Sequence, residues 1–285
     1  MARSFHAWSD AGDGGLCPAS APPLPLGSVM RARGAGEVVE SDDPGIPVGT
    51  LVFGFFGMQD YALVEGRSDH FRLCPPDADL AAELGVQGGT GLTAYFGLLD
   101  VVVVRAAAGA TGSVVCQLAR IKGCRVIGIA GSDHKCRWLA EIGVDGTINY
   151  KRQSVAAELD RMLPGGLDIH FDNVGGATLD AYFDRLRLHG RVVLCGGISH
   201  YDDDAAPPGP RNCFQLVFRR ARMEGFLLSD YAHRFDAALD DMRGWLEAGA
   251  LHNRATVMGG FAQLPAALVA LFEGRNVGKM LVEVA

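Results

Sequence analysis

The sequence predicts an α/β protein: a doubly wound parallel-sheet domain inserted in a smaller β-rich domain. Three observations carry that prediction. Between residues 101 and 195, short apolar runs alternate with helix-length segments, the pattern of a parallel sheet covered on both faces. The stretch "VVVVRAAAGATGSVVCQLARIKGCRVIGIAGSDHK", residues 101–135, reads as strand, small-residue turn, helix and second strand. Before this region, apolar runs are shorter and are cut by Gly and Asp-Pro turns, which suits a β-rich unit, and after it helices and strands return to mixed character.

Taken in order, residues 1–25 are rich in Ala, Gly and Pro without a period and are expected to be irregular. Residues 26–90 hold "GTLVFGFFG", "DYALVEG" and similar runs, the first part of the β domain. Leu and Ala at helical spacing in "DADLAAELGVQGGTGLTAYFGLLD", interrupted by glycines, predict a broken pair of helices. The parallel-sheet domain spans 91–231. It comprises strands 101–106, 125–130, 146–149, 167–171, 191–195 and 222–227, and helices 111–122, 133–142, 152–163 and 176–187. The chain returns to the β domain over 232–285, with helices 233–248 and 261–273 and strands near 254–258 and 278–284. The last strand and the strand at 222–227 are expected at sheet edges, where an open ladder invites pairing. The helix ending "FGLLD" meets "VVVV" with no Gly or Pro stop, so a connecting segment is expected to be missing there.

Composition excludes several functions. A chain of 285 residues with 48% hydrophobic and 21% charged residues is globular, and no apolar run reaches the ~18 residues of a membrane helix. A net charge of −7 argues against nucleic acid as a partner. Seven cysteines stand singly, without a C-x-x-C pair, and the amino end lacks the apolar core of a signal peptide, so reduced thiols and a cytoplasmic location are expected. Eight histidines lack ligand spacing, and no metal is expected. Neither G-x-S-x-G nor H-E-x-x-H occurs.

The turn after the first strand has Ala107, Gly109 and Gly112 in the three slots of G-x-G-x-x-G. Ala107 makes the tight turn, Gly109 lets backbone approach a pyrophosphate, and Gly112 lets the helix pack close to the strand; the phosphates then face the helix N-terminus. The second strand ends in Ala130-Gly131-Ser132, without the acid that normally binds a free ribose. That favours a 2′-phosphate and hence NADP. Lys135 is placed to reach it, Ser132 to cap the next helix and donate its hydroxyl, and Tyr150 to approach from the end of the third strand. In the alternative, Asp133 is the ribose acid of an NAD site. The other strand ends, "DNVGG" and "CGGISHY", offer Gly175, Gly176, Gly196 and Gly197 for close approach of a nicotinamide ring, and Asn173 and Ser199 as polar groups. A metal-free nicotinamide site points to hydride transfer onto an electrophilic substrate.

These motifs, with "GLTAYFGLLD", "AAAGATGS", "GIAGSDHKCRWL", "FDNVGG", "PPGPRN", "RARMEGF" and "GRNVGKMLVEV", resemble the zinc-independent medium-chain dehydrogenase/reductases, specifically the prostaglandin reductase and leukotriene hydroxydehydrogenase-like branch. The resemblance implies an NADP-binding Rossmann domain inserted in a GroES-like β domain, here truncated at its N-terminus. It implies NADPH-dependent reduction of the carbon–carbon double bond of an enone or enal, as in 2-alkenal or 15-oxoprostaglandin 13-reductases. The family's cofactor contacts fall on Gly109, Ala110, Thr111, Gly112, Lys135, Tyr150, Asn173, Cys195, Gly196, Gly197, Ile198, Ser199, Tyr201, Phe226, Leu227, Leu228 and Asn276. Tyr201 matches the tyrosine that contacts the nicotinamide ribose and helps stabilise the enolate. A homodimer is a further implication. The family's usual Ser-Gln-Tyr-Asn is replaced here by "SHYDDD", and its Met-Pro turn by "VQGGTG". Quinone reduction and NADPH binding without catalysis are the alternatives.

Overall fold

The computed structural model describes residues 2–7, 24–64, 71–97, 102–176, 179–198 and 209–284, with backbone alone for 2–7 and 102. They form two compact units, one of residues up to Thr90 together with those from Asn253 onward, the other Gly91–His252.

The first unit is built on strands β1 (Ala2–Ala7), β2 (Arg33–Val38), β3 (Leu51–Phe55), β4 (Tyr61–Ala62) and β5 (Arg72–Leu73), followed by helix α1 (Leu80–Leu84). Helix α2 (Gly89–Phe96) leads into the second unit, which holds β6 (Val102–Val104), α3 (Ala110–Ile121), β7 (Val126–Ala130), α4 (Asp133–Glu141), β8 (Gly146–Asn149), α5 (Val155–Met162) and β9 (Leu167–Asp172). It continues through α6 (Asp180–Phe183), β10 (Leu186–Leu194), α7 (Gln215–Arg219), β11 (Arg222–Gly225) and α8 (Phe235–Glu247). The chain then returns to the first unit with β12 (Ala255–Gly259), α9 (Leu264–Phe272) and β13 (Lys279–Glu283).

In the first unit the strands run in the order β12-β13-β1-β2-β3-β5, with β4 paired to β1. Ala35, Phe53, Leu84 and Leu281 form one side of its core, and α9 covers Met280 and Val282 with Leu264, Ala267 and Leu271. Two expectations change here. Residues 2–7, expected to be irregular, form a strand because β2 and β13 offer antiparallel ladders on both sides, down to Phe5 opposite Ala35 and Glu283. The same insertion makes β13 an interior strand, and β12 takes the edge.

The second unit is the parallel sheet, ordered β11-β10-β9-β6-β7-β8 with every neighbouring pair parallel. The chain enters at β6 in the middle, winds outward to β8, then crosses to β9 and winds the other way. Val103, Ile127, Ile129, Ile148 and Val192 are buried in the sheet against Leu159, Leu163, Tyr182 and Phe183 from the helices, which explains the near-continuous apolar strands. The expected helix 176–187 shortens to α6, and β10 starts at Leu186. There Leu167 N–H donates to the Arg185 carbonyl and Leu186 pairs with Leu167, so the sheet captures "LRLH" before a bulge and a left-handed His189 (φ 64°). Helix α8, expected to start the return, stays with the second unit: its Met242 and Ala238 are buried, and Tyr95 Oη donates to Asp241 Oδ2 at 2.5 Å. The predicted break between the first two helices is present. Thr90 Oγ1 donates to the Gly85 carbonyl at 2.7 Å, and a side chain on Gly88 would meet the Glu83 carbonyl at 2.5 Å. The expected missing connection falls on 98–101, outside the described residues.

Candidate cofactor-binding site

The switch point lies between β6 and β9, where the winding reverses, and a doubly wound sheet binds its ligand beyond the carboxyl ends of the strands there. The turn after β6 is closed by Gly109 N–H donating to the Ala106 carbonyl at 2.8 Å, and it is tied to β7 by Ala107 N–H donating to the Ile129 carbonyl at 3.0 Å. Its left-handed residue is Ala106 (φ 49°), one place before the position expected to make the turn, while Ala107 is fully buried. Gly109 is the N-cap of α3 and has no side chain to cap it, so the first amides of Ala110, Thr111 and Gly112 present the positive end of the helix. A Cβ on Gly112 would sit 2.3 Å from the Ala106 carbonyl oxygen. Only glycine lets α3 start this close to the turn.

At the end of β7, Ser132 caps α4 by accepting the Lys135 amide at 3.3 Å. The Tyr150 ring lies over Gly131, where an added Cβ would be 3.0 Å from both the ring and its hydroxyl. The Lys135 side chain is half-buried, and its ammonium is held below the ordinary lysine value first by burial and then by the charge of Lys151. Two cations thus share one corner with a phenol and a helix N-terminus, a donor set suited to a phosphate dianion. Asp133 is otherwise engaged: its Oδ1 accepts from Asn149 Nδ2 at 2.6 Å, and its Oδ2 is paired with Arg152. The alternative ribose acid is therefore turned toward the end of β8. Lys151 and Arg152 were missed from sequence, although "NYKR" directly after a strand end is the signal that marks them.

At the ends of β9 and β10 the loops rest on each other. The Asp172 carbonyl accepts the amides of Cys195 (2.8 Å) and Gly196 (3.3 Å), and the Asn173 carbonyl accepts the Ile198 amide (3.3 Å). Asn173 and the loop Cys195, Gly196, Gly197 and Ile198 are half-buried, and Gly175 (φ 72°) and Gly176 (φ 81°) supply the left-handed turn. Burial by itself pushes the Asp172 carboxyl upward, but His170 beside it, then the Arg105 guanidinium and the Gly175 amide, more than offset this and hold it below the usual range. Burial in turn lowers His170 and keeps it neutral, so the compensating charge is that of Arg105. Sequence reading did not single out Arg105, His170 or Asp172, although Asp172 opens "DNVGG".

Beyond β11, Phe226 packs edge-on to Tyr231, the Leu227 amide donates to Asp230 at 3.3 Å, and Leu228 opens a 3₁₀ turn. Asn276 belongs to the other unit, where its Nδ2 donates to the Gly278 carbonyl at 2.7 Å. Ser199 and Tyr201 lie outside the described residues. Among the described residues no three His, Cys, Asp or Glu side chains are grouped to hold a metal, and no helix is long and apolar enough to cross a membrane.

The chain is similar to known proteins along most of its length. A family model described as zinc-binding dehydrogenase matches residues 110–243, and another described as the N-terminal domain of oxidoreductase matches residues 17–71. The 2-alkenal reductase (NADP(+)-dependent) of Nicotiana tabacum is 39% identical over 269 residues, covering 91% of this chain and 78% of that protein. Prostaglandin reductase 1 of Oryctolagus cuniculus is 39% identical over 269 residues, covering 90% and 77%. The crystal structure of CurA in complex with NADPH from Vibrio vulnificus superposes with a TM-score of 0.90 at 36% identity, covering 100% of this chain and 89% of that one.

Proposed function

We propose a reaction for a chain that belongs to the zinc-independent, NADP-dependent branch of the medium-chain dehydrogenase/reductases: NADPH-dependent reduction of the carbon–carbon double bond of α,β-unsaturated ketones or aldehydes. The observation that carries the reading is the corner of Ser132, Lys135, Tyr150 and Lys151 at the end of β7 and β8, together with the engagement of Asp133 by Asn149 and Arg152. It supports a 2′-phosphate over a free ribose.

NADPH, when bound, would supply a hydride to the β-carbon of the conjugated carbonyl, and the α-carbon would take its proton from solvent. The chain's own work is to bind and orient. Gly109, Ala110, Thr111 and Gly112 offer backbone donors to the pyrophosphate, and Lys135 and Tyr150 hold the 2′-phosphate. Asn173 and the loop 195–199, with Phe226, Leu227 and Leu228, border the nicotinamide half; Asn276 is assigned to the same contact set by family likeness. Tyr201 holds a hydrogen bond at the substrate's carbonyl oxygen as that atom gains negative charge, directly or through the ribose hydroxyl it orients. Preorganised donors of this kind act on charge that exists only in the transition state.

The test is a panel of enals, enones and quinones with purified protein and NADPH, followed by loss of the nicotinamide absorbance. Turnover of conjugated carbonyls is expected. Turnover of quinones alone replaces the reading with quinone reduction, and NADPH binding with no turnover of any acceptor reduces it to a binding protein. We further propose a homodimer, supported by β11, an edge strand whose four residues are exposed, beside exposed Phe214, Val217 and Phe218 on and before α7. Light scattering at the monomer mass would remove that assignment. A cytoplasmic location is proposed from the thiols of Cys74, Cys116, Cys136 and Cys213, none of them in a disulfide, and cell fractionation tests it.

A further inference from the structure

One buried carboxylate ties together three of the strand ends that border the site. Asp172, fully buried at the end of β9, accepts the Gly175 amide on Oδ2 at 2.8 Å and the Val174 amide on Oδ1 at 3.3 Å, while its carbonyl holds the Cys195 and Gly196 amides of the loop after β10. Arg105, the first residue after β6, closes the arrangement. Its Nη1 lies 3.1 Å from Asp172 Oδ1 and donates to the Gly175 carbonyl at 2.9 Å, its own amide donates to the Phe171 carbonyl at 3.1 Å, and its side chain is only 12% exposed.

The other groups facing Asp172 do not replace this cation. His170 Nε2 is 3.6 Å from Oδ1, beyond hydrogen-bond distance, and its ring is stacked at 3.7 Å on Tyr182, itself fully buried. The guanidinium of Arg105 also faces the Tyr182 ring at 5.7 Å. A buried carboxylate deprived of its partner is strongly destabilised, and a turn built on two left-handed glycines has little stiffness of its own. The shape of residues 173–176 therefore depends on groups outside the turn.

We propose that Arg105 is a positioning residue: acting through the Asp172 carboxylate and the Gly175 carbonyl, it fixes the loops 173–176 and 195–198 and so sets NADPH affinity without touching the cofactor. The role in affinity rests on the cofactor reading above; the role in fixing the loops does not.

The test compares the full-length parent with Arg105→Met, Arg105→Lys and the double variant Arg105→Met/Asp172→Asn, by amide hydrogen exchange without cofactor and by fluorescence titration with NADPH. In Arg105→Met, exchange at Val174, Gly175, Cys195 and Gly196 is expected to accelerate while β7 and β8 keep their protection, and the NADPH Kd to rise about tenfold, as misplacement of a supporting group does. Arg105→Lys should restore most of both, because a single nitrogen serves both acceptors in the parent. The double variant should recover part of the loss, since no charge is stranded. Loop exchange unchanged in Arg105→Met overturns the clamp, as does uniform loss of protection across the sheet that Lys does not rescue. A parent chain that binds no NADPH overturns the cofactor reading instead, and the clamp is then decided by the exchange data alone.

Discussion

The two halves of the sheet end in different ways. At the switch point, β6, β9 and β10 end around Asp172 and His170, both fully buried, and Gly112 brings α3 against the turn after β6. At the outer end, β7 and β8 finish in a corner of half-buried Ser132 and Lys135 and exposed Tyr150 and Lys151. The inner end works by shape: what it does depends on distances of a few tenths of an ångström between backbone atoms. The outer end works by charge, in solvent, where side chains adjust. Errors in the first are expected to be costly and indifferent to which cofactor is offered, whereas errors in the second should be milder and selective for the phosphate.

The largest effect should come from Gly112→Ala. The new Cβ would be 2.3 Å from the Ala106 carbonyl oxygen, so α3 must move away from the turn. A loss of about a hundredfold in NADPH affinity is expected, equally for NADH, with a lower thermal midpoint. Retention of either affinity would show that the inner end tolerates movement. Next is Lys135→Ala, which removes a charge-assisted contact of roughly 1.5–3 kcal/mol and should weaken NADPH about ten- to a hundredfold while leaving NADH unchanged. Paired titrations decide it, and equal losses for both cofactors would make Lys135 a support of the fold.

A pH series sharpens the same point. Burial and Lys151 hold the Lys135 ammonium below 10.5, and a bound dianion favours its charged form. Preference for NADPH over NADH should therefore be full below that lowered pKa and fall as pH rises through it, and Lys135→Ala should abolish the alkaline decline. Tyr150→Phe removes one neutral donor and should weaken NADPH by a few-fold, in the region of about 1 kcal/mol. The smallest change is Arg152→Ala. The pair with Asp133 is exposed, 71% and 51% for the two side chains, so its direct worth is about 0–1 kcal/mol. Freeing the Asp133 carboxylate beside the phosphate corner should still shift the ratio of NADPH to NADH affinity a little toward NADH, and a shift toward NADPH would contradict its assigned neutralisation.

How far these features could be read in advance follows the same division. Apolar runs at "VVVV" and "RVIGIA" named the inner strands, because a strand buried on both faces has no polar alternation to hide it. The phosphate corner was legible because an absent acid, a cap serine and a lysine lie within one short segment. β1 was not: "ARSFHA" has no local strand signal, and its ladders to β2 and β13 come from residues far along the chain. The clamp was equally hidden, since Arg105 and Asp172 are 67 residues apart and nothing in either segment marks the two as partners.

By itself, then, the sequence determined the alternation that makes a doubly wound sheet, the glycine on which α3 packs against the turn after β6, and the missing acid that favours a 2′-phosphate. These are local properties, fixed by side-chain size, backbone freedom and charge within a few residues. The tertiary structure alone decided that Asp133 is held by Asn149 and Arg152, that Lys151 stands beside Lys135, and that Arg105 compensates Asp172. Each depends on which strand ends become neighbours when the sheet closes. A charge acquires its partner from the fold, because Coulombic and hydrogen-bond energies act over ångströms in space and take no account of separation along the chain.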